Sequence, residues 1–250
     1  MEKNSVHVLY KKLGETPLEA LERFKKDNPE YSHTPITYAG RLDPMAEGVL
    51  LALSGESISK KQDYLDLQKT YIFEVLWGFS TDSLDILGIV SGESENIPEQ
   101  NIVKRKIGYS IGKLSQKYPV FSSKLIATKF KGRRFFPWTR PGIDEVSMPS
   151  HDVEIYDGSF ISREVISGDE LLKIIVERVS LVTGDFRQKE TIENWKEVIR
   201  SDNKYIIDTL TLTVSRGFYV RQFVSDLARE FGTLGATFHI KRTQIGDYVV

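Results

Sequence analysis

One carboxylate of this chain, Asp43, is the leading candidate for a nucleophile. It lies in the stretch YAGRLDPMAEGVLLALSG at residues 38–55, ahead of a long apolar segment. Pro44 fixes its own φ angle and disfavours the α conformation for the residue before it, so the sequence predicts a rigid turn at Asp43. Gly40 and Gly48 on either side allow the backbone to approach a ligand closely. An ordinary Asp-Pro turn in front of a core element is the alternative interpretation of the dipeptide.

A second charged residue, Arg221, is predicted to lie in the first turn of a helix. Apolar residues recur at helical spacing from Val220 to Phe231, and Gly232 is typical of the residue that ends a helix. A cation at a helix N-terminus is opposed by the macrodipole, and a carboxylate lying across from it restores the balance. We therefore predict that Asp43 pairs with Arg221, which would keep the carboxylate ionised and oriented. A phosphate group or solvent is the alternative partner for Arg221.

The elements that must position these two residues can be predicted from local patterns. Strands are predicted at residues 6–10, 71–78 and 209–214, the last with one polar and one apolar face. A capping box, TPLE at residues 16–19, predicts a helix that ends near residue 26 and turns Leu18, Leu21 and Phe24 inward. Further helices are predicted at about residues 99–107, 168–179 and 191–200.

Composition describes a soluble globular protein. The chain has 250 residues, of which 40% are hydrophobic and 28% charged, enough to bury a large core. Its apolar runs are far shorter than the roughly 20 residues of a membrane span, and the N-terminus lacks the apolar stretch of a signal peptide, so we expect a cytoplasmic protein with no membrane partner. The absence of cysteine excludes disulfides, thiolate metal sites and cysteine nucleophiles. The four histidines are scattered and form no ligand-spaced cluster.

A long basic segment, residues 101–143, contains no Asp or Glu although the net charge of the chain is only -1. Its cations are Lys104, Arg105, Lys106, Lys113, Lys117, Lys124, Lys129, Lys131, Arg133, Arg134 and Arg140, and its aromatic residues are Tyr109, Tyr118, Phe121, Phe130, Phe135, Phe136 and Trp138. This mixture is typical of surfaces that neutralise phosphates and stack unpaired bases, so it favours contact with RNA. A solvated charged face with aromatic residues in the core is the alternative.

Five short stretches, in sequence order, resemble the TruB branch of the pseudouridine synthases. The segment GRLDPMAEGVL at residues 40–50 is similar to the motif around the family's catalytic aspartate. KTY at residues 69–71 resembles the start of the strand that supplies the active-site tyrosine, and TDSLDILG at residues 81–88 resembles the family's Thr-Asp-x-x-Asp-x-x-Gly loop. The last two are ATKFKG at residues 127–132, with RPG at 140–142, and SRGFYVR at residues 215–221, which matches the segment with the active-site arginine.

The resemblance implies an α+β protein with the pseudouridine synthase catalytic fold, a mixed and mostly antiparallel sheet flanked by helices. It also implies isomerisation of uridine to pseudouridine in RNA, with the T-loop uridine of tRNA as the target and ribosomal RNA as the alternative substrate. A non-catalytic RNA-binding or RNA-folding protein is the alternative of a different class. No metal or organic cofactor is implied, the expected partner is RNA, most simply tRNA, and a monomer is expected.

The resemblance also assigns roles to individual residues. Asp43 would be the nucleophile, at the uracil ring or at the ribose anomeric carbon, with Arg221 as its partner. Tyr71 would stack on a uracil extruded from the RNA, although its position alone also fits an ordinary core tyrosine. Asp82 and Asp85 are expected in a structural loop near the site rather than as a metal pair, because hard cations usually need more oxygen ligands. The residues expected to bind substrate are Tyr38, Arg41, Lys124, Lys129, Arg133, Arg134 and Lys241.

The chain departs from the TruB pattern in ways that bear on substrate choice. Tyr38 stands where the family usually has histidine, Phe136 stands where it has tyrosine, and the wording Gly-Arg-Leu-Asp is closer to that of ribosomal RNA pseudouridine synthases. Residues 157–204 look longer than the usual connection and are predicted as a helical insertion in a single domain that spans residues 1–250. The sequence ends soon after KRTQIG at residues 241–246, so no C-terminal RNA-binding PUA domain is expected, which should weaken tRNA affinity.

Overall fold

A computed structural model of the protein describes residues 5–118 and 150–250, together with the backbone of a short hairpin between them. In chain order the elements are β1 (Ser5–Lys11), α1 (Pro17–Asp27), β2 (Ile36–Ala39), β3 (Ala46–Ser54), α2 (Lys61–Asp66), β4 (Lys69–Trp77), β5 (Phe79–Thr81), β6 (Val90–Glu93), α3 (Gln100–Tyr109), β7 (Gly112–Lys117), β8 (Thr128–Phe130), β9 (Arg133–Phe135), β10 (Ser150–Ser167), α4 (Gly168–Ser180), α5 (Gln188–Val198), β11 (Lys204–Val214), α6 (Val220–Glu230), β12 (Gly235–Ile245) and β13 (Tyr248–Val249). None of the helices in these ranges is long and apolar enough to cross a membrane.

One large sheet runs through the molecule in the order β1-β3-β12-β4-β11-β10-β7, with β2 added to β3 and β13 added to β12. Among its described strands only β3 and β12 run parallel, and the other neighbours are antiparallel. Two short hairpins, β5-β6 and β8-β9, form separate sheets. The prediction of an α+β fold with a mixed, mostly antiparallel sheet is confirmed.

Helices cover both faces of this sheet. Successive residues of a strand point to opposite faces, and on β4 the side chain of Phe73 lies in one buried cluster while that of Leu76 lies in another. Helices α6 and α3 cover the first face with the buried residues Phe223, Val224, Leu227, Val103 and Ile107. Helices α4 and α5 cover the second face with Leu171, Ile175, Val179 and Trp195. The two apolar layers hold the central strands rigidly between them.

Helix α1 begins at the predicted capping box. The Thr16 hydroxyl accepts a hydrogen bond from the Glu19 amide, and the Glu19 carboxylate accepts one from the Thr16 amide at 2.6 Å. Leu21 is buried as predicted. Leu18, however, is 57% exposed, so its predicted inward placement is wrong. Its side chain lies at the mouth of a cavity instead of against the sheet.

The segment at residues 157–204 is only partly helical. Strand β10 runs on to Ser167 and pairs with β11 over residues 155–167, so the prediction of a helical insertion is wrong for its first part. Most side chains of that strand are exposed or half-buried, and it therefore lacks the apolar alternation by which a strand is recognised. The helices α4 and α5 that follow are confirmed, and the Ser167 hydroxyl caps α4 by accepting a hydrogen bond from the Glu170 amide.

Candidate active site

The loop between β2 and β3 presents Asp43 from an anchored backbone. The side chains of Leu42 and Met45 on either side are buried. The Ala46 amide donates to the Asp43 carbonyl at 3.0 Å, and the Gly14 amide donates to the Pro44 carbonyl at 2.9 Å. The Asp43 side chain is nevertheless 31% exposed to solvent. A rigid turn thus holds an accessible carboxylate, as the Asp-Pro dipeptide predicts.

Arg221 pairs with Asp43, so the predicted contact is confirmed. Arg221 is the second residue of α6 and is only 3% exposed, and its Nε lies 3.0 Å from Oδ2 of Asp43. The same guanidinium donates from Nη1 to the Ser83 carbonyl at 2.6 Å, and its Nε lies 3.7 Å from Oδ2 of Asp85. Two carboxylates and a carbonyl therefore offset both the burial of this cation and its unfavourable place at a helix N-terminus.

The loop at residues 81–88 holds Asp85 against Arg221. Asp85 accepts hydrogen bonds from the Ser83 hydroxyl at 2.5 Å and from the Leu87 amide at 3.1 Å. Burial raises the pKa of Asp85 to about 6, although the Arg221 charge acts to lower it. Asp82 accepts a hydrogen bond from the Ile89 amide. Both aspartates belong to the fold of this loop, as predicted, and Asp85 is in addition a member of the site.

Asp43 opens into a cavity of about 610 Å³. The cavity wall includes three other residues that sequence reasoning assigned to the site, which are Tyr71, Tyr38 and Arg41. Tyr219, which precedes α6, also lines it and was not singled out, although it stands in the same motif as Arg221. Burial, and then the charge of Asp43, raise the pKa of Tyr219 to about 12. Its hydroxyl therefore stays protonated and can donate a hydrogen bond.

Among the other predicted binding residues, Lys241 is described by the structure and is not brought to this cavity. Lys241 follows Ile240, which lines the cavity, and because neighbouring strand residues point to opposite faces its ammonium lies elsewhere, 5.9 Å from the centre of the Tyr10 ring. The side chains of Lys124, Lys129, Arg133 and Arg134 lie outside the described residues, as does Phe136. Within residues 5–118 and 150–250, no three His, Asp or Glu side chains are grouped so that they could hold a metal ion.

Two buried cations that sequence reasoning missed hold the backbone of the Asp43 loop. Lys11 donates to the Ala46 carbonyl at 2.5 Å, and burial lowers the pKa of Lys11 to about 8. Arg242 donates to the carbonyls of Val49 at 2.8 Å and of Gly40 and Arg41 at 3.2 Å. Both cations reach this loop through the pairing of β1 and β12 with β3, so no local pattern of the sequence could have identified them.

Gly48 has a different role from the predicted approach to a ligand. Its φ angle is +110°, and a Cβ atom built on it would lie 2.1 Å from the Arg242 carbonyl oxygen. The glycine is therefore required by the close parallel pairing of β3 with β12. That pairing brings Arg242 beside the carbonyls of the Asp43 loop that it binds.

Arg242→Met should lower the free energy of unfolding by about 3 kcal/mol, because three carbonyls lose their donor inside the protein. Urea denaturation of the variant and the wild type measures the difference. Arg229→Met is the matched control, since Arg229 is exposed on α6 and should change stability by no more than about 0.5 kcal/mol. Equal stability of the Arg242 variant and the wild type would mean that these hydrogen bonds contribute nothing to the fold.

A family model described as the TruB family pseudouridylate synthase N-terminal domain matches residues 30–177. Among curated proteins, the chain is 29% identical to tRNA pseudouridine synthase B of Caulobacter vibrioides over 211 residues, which cover 84% of this chain and 54% of that protein. It is 27% identical to tRNA pseudouridine synthase B of Novosphingobium aromaticivorans over 222 residues, covering 88% of this chain and 59% of that protein. The chain thus spans about half the length of these relatives.

Solved structures show the same fold. A chain in the crystal structure of a Cbf5-Nop10-Gar1 complex superposes with a TM-score of 0.55 at 15% identity, covering 98% of this chain and 49% of that chain. A chain from an H/ACA RNP bound to a substrate RNA containing 2'-deoxyuridine gives a TM-score of 0.54 at 15% identity, with coverage of 98% and 48%. Because the family model covers more than half of the sequence, the chain belongs to the TruB family of pseudouridylate synthases.

Proposed function

We propose that this protein isomerises uridine to pseudouridine in tRNA, with Asp43 as the nucleophile. The observation that carries the proposal is the Asp43 carboxylate, held at 3.0 Å by the buried Arg221 and opening into a cavity lined by aromatic rings. Membership of the TruB family and the name shared by the curated relatives, tRNA pseudouridine synthase B, support the choice of reaction and substrate.

Asp43 has the properties that a carboxylate nucleophile requires. Arg221 binds one carboxylate oxygen through a charge-assisted hydrogen bond, which fixes the orientation of the carboxylate. Asp43 attacks the uracil ring or the ribose anomeric carbon, and the N-glycosidic bond breaks. The base turns while it is held, and its carbon 5 bonds to the ribose. Asp43 is released, and the hydrogen that carbon 5 carried leaves as a proton. Ring nitrogen N1, which lost its bond to the ribose, takes up a proton, so the product is an isomer of the substrate. The reaction has no net oxidation and adds no water.

The cavity has the size and the wall that a single extruded nucleotide needs. Its volume of about 610 Å³ lies in the usual range for small-ligand sites, roughly 300–1,000 Å³. A uridine within an RNA helix must leave its stack to reach Asp43, and Tyr71 offers an aromatic ring in the wall of the same cavity. Arg41 is exposed on the same loop and can bind a flanking phosphate.

The rate of isomerisation should fall on the acid side with an apparent pKa of about 6. Asp85, whose pKa burial raises to about 6, becomes neutral there, and Arg221 loses one of its two carboxylates. Single-turnover rates between pH 5 and pH 8 measure this limb, and Asp85→Asn should remove it while lowering the rate at neutral pH. An unchanged limb in Asp85→Asn would assign it to another group.

The raised pKa of Asp85 also predicts how stability depends on pH, and this dependence runs opposite to that of the activity. The folded state binds the Asp85 proton more tightly than the unfolded chain, because the folded-state pKa of about 6 exceeds the ordinary value of 3.8. Its contribution to the free energy of unfolding is therefore greatest below pH 4 and declines as the pH rises to about 6. Activity and this stability contribution should consequently change in opposite directions over that interval.

Pseudouridine mapping tests the proposed reaction and its substrate together. Purified protein is incubated with an unmodified tRNA transcript, and pseudouridine is located by carbodiimide labelling and primer extension. A stop at the T-loop uridine is the expected result. A stop only in ribosomal RNA fragments would change the substrate, and the absence of a stop in both would favour a protein that binds RNA without turnover.

A further inference from the structure

Helix α5 binds the backbone of the loop that supports Arg221. The Trp195 indole donates from Nε1 to the Ile86 carbonyl at 3.0 Å, and the Thr191 hydroxyl donates to the Leu87 carbonyl at 2.9 Å. Both donors are fully buried. Buried polar groups are costly unless they are paired, so these two bonds fix the helix and the loop in one arrangement.

Two further contacts extend this attachment to both ends of the loop. The Asn194 side-chain carbonyl accepts a hydrogen bond from the Val90 amide at 2.8 Å. Arg187, which precedes α5, pairs with Asp82 at 2.9 Å. The chain from residue 82 to residue 90 is thus held at four points by side chains of the segment at residues 157–204.

The supported loop has a conformation that needs external support. Leu84 has a φ angle of +64°, in the left-handed region, which costs a residue other than glycine about 1–3 kcal/mol. On either side of Leu84 are the two groups that meet Arg221, the Ser83 carbonyl and the Asp85 carboxylate. Displacement of this loop would therefore remove two of the groups that hold the Arg221 guanidinium. Because Arg221 orients Asp43, the Asp43 carboxylate would then lose its orientation.

The connection between α4 and α5 also reaches the cavity itself. Thr183, Gly184 and Phe186 line the cavity into which Asp43 opens. The Thr183 hydroxyl donates to the Glu19 carboxylate at 2.7 Å and so holds the connection against α1. The α4–α5 connection therefore contacts the cavity wall, while α5 contacts the loop that meets Arg221.

We propose that α5 is part of the catalytic machinery of this chain, with Arg187 and Thr191 acting as positioning residues for the Arg221–Asp43 pair. The proposal rests on the proposed isomerisation for its kinetic test. The competing interpretation is that α4 and α5 only cover an apolar face of the sheet. The two interpretations differ in what happens when a polar contact to the loop is removed without loss of apolar cover.

Thr191→Val and Arg187→Met each remove the polar side-chain contact to the loop and keep the apolar surface of the helix. Each should lower the single-turnover rate by about 10-fold to 100-fold, while the Kd for tRNA stays within a factor of about three. A misplaced catalytic group slows the reaction but does not weaken RNA binding. Ile175→Val, in the buried face of α4, is the control for a loss of stability alone and should leave the rate unchanged. Rates that stay at the wild-type value in both contact variants, or that fall equally in the control, would overturn the proposal.

Amide hydrogen exchange tests the support of the loop without any RNA. In Thr191→Val and Arg187→Met the amides of residues 84–90 should exchange faster than in the wild type and in Ile175→Val, while those of β4 and α6 stay protected. Unchanged protection of residues 84–90 would overturn the positioning role. If the wild type isomerises no RNA, the proposed function fails, whereas the exchange experiment still decides whether α5 holds this loop.

Discussion

The Asp43→Asn variant is expected to bind tRNA at least as tightly as the wild type and to turn over none of it. The amide has nearly the same shape, and its oxygen can still accept the hydrogen bond from Arg221 Nε. It is not a nucleophile, so the single-turnover rate should fall by at least about 10⁴-fold. Removal of a negative charge that faces a polyanion favours binding. Filter binding and single-turnover assays on the same RNA separate the two effects.

Asp63→Asn is the matched control, because Asp63 is an exposed aspartate on α2. It should change neither the rate nor the affinity. If Asp43→Asn lost RNA binding together with turnover, Asp43 would be a structural residue of the loop. The nucleophile would then have to be sought elsewhere in the cavity.

Arg221→Met should impair both stability and turnover. It leaves Asp85 buried and Asp43 half-buried without their shared cation, and loss of one partner of a buried ion pair costs about 3–5 kcal/mol. Turnover should fall by more than about 100-fold, since Asp43 loses the group that orients it. Urea denaturation measures the first effect and single-turnover kinetics the second. Arg216→Met is the control, because Arg216 is exposed and precedes the same helix.

The origin of that stability loss can be tested separately. Asp85→Asn in the Arg221→Met background should restore part of the lost stability, because the uncompensated buried carboxylate is then absent. Lowering the pH should act in the same direction, because Asp85 becomes protonated, and it does so at a higher pH than in the wild type since Arg221 no longer lowers its pKa. A loss of stability that is the same in the single and double variants would show that Arg221 acts by packing alone.

Local signals predicted much of this molecule. The capping box at Thr16 and the helix that carries Arg221 depend on neighbouring residues, and both are found where the pattern places them. The Asp43–Arg221 pair was predicted because a nearby carboxylate stabilises a cation at a helix N-terminus. In the structure, Arg221 Nε lies 3.0 Å from Asp43 Oδ2. The resemblance then supplied the fold class, which the structure confirms.

Contacts between distant parts of the chain were not predictable in this way. Arg242 and Lys11 hold the Asp43 loop only because β12 and β1 pair with β3, which no local pattern reveals. The approach of the α4–α5 connection to the cavity likewise depends on how two helices pack across the sheet. Leu18 was placed inward by helical spacing, yet it lies at the cavity mouth because a periodic pattern does not say where the covered surface ends.

Release of the carbon-5 hydrogen provides the decisive assay for a nucleophilic Asp43. A tRNA transcript with uridine tritiated at carbon 5 is mixed with excess protein, and tritium entering the solvent is counted for the wild type and for Asp43→Asn. Tritium release by the wild type, with none from a variant that still binds the RNA, is the predicted result. Release by Asp43→Asn at the wild-type rate would contradict the assignment of Asp43 as the nucleophile.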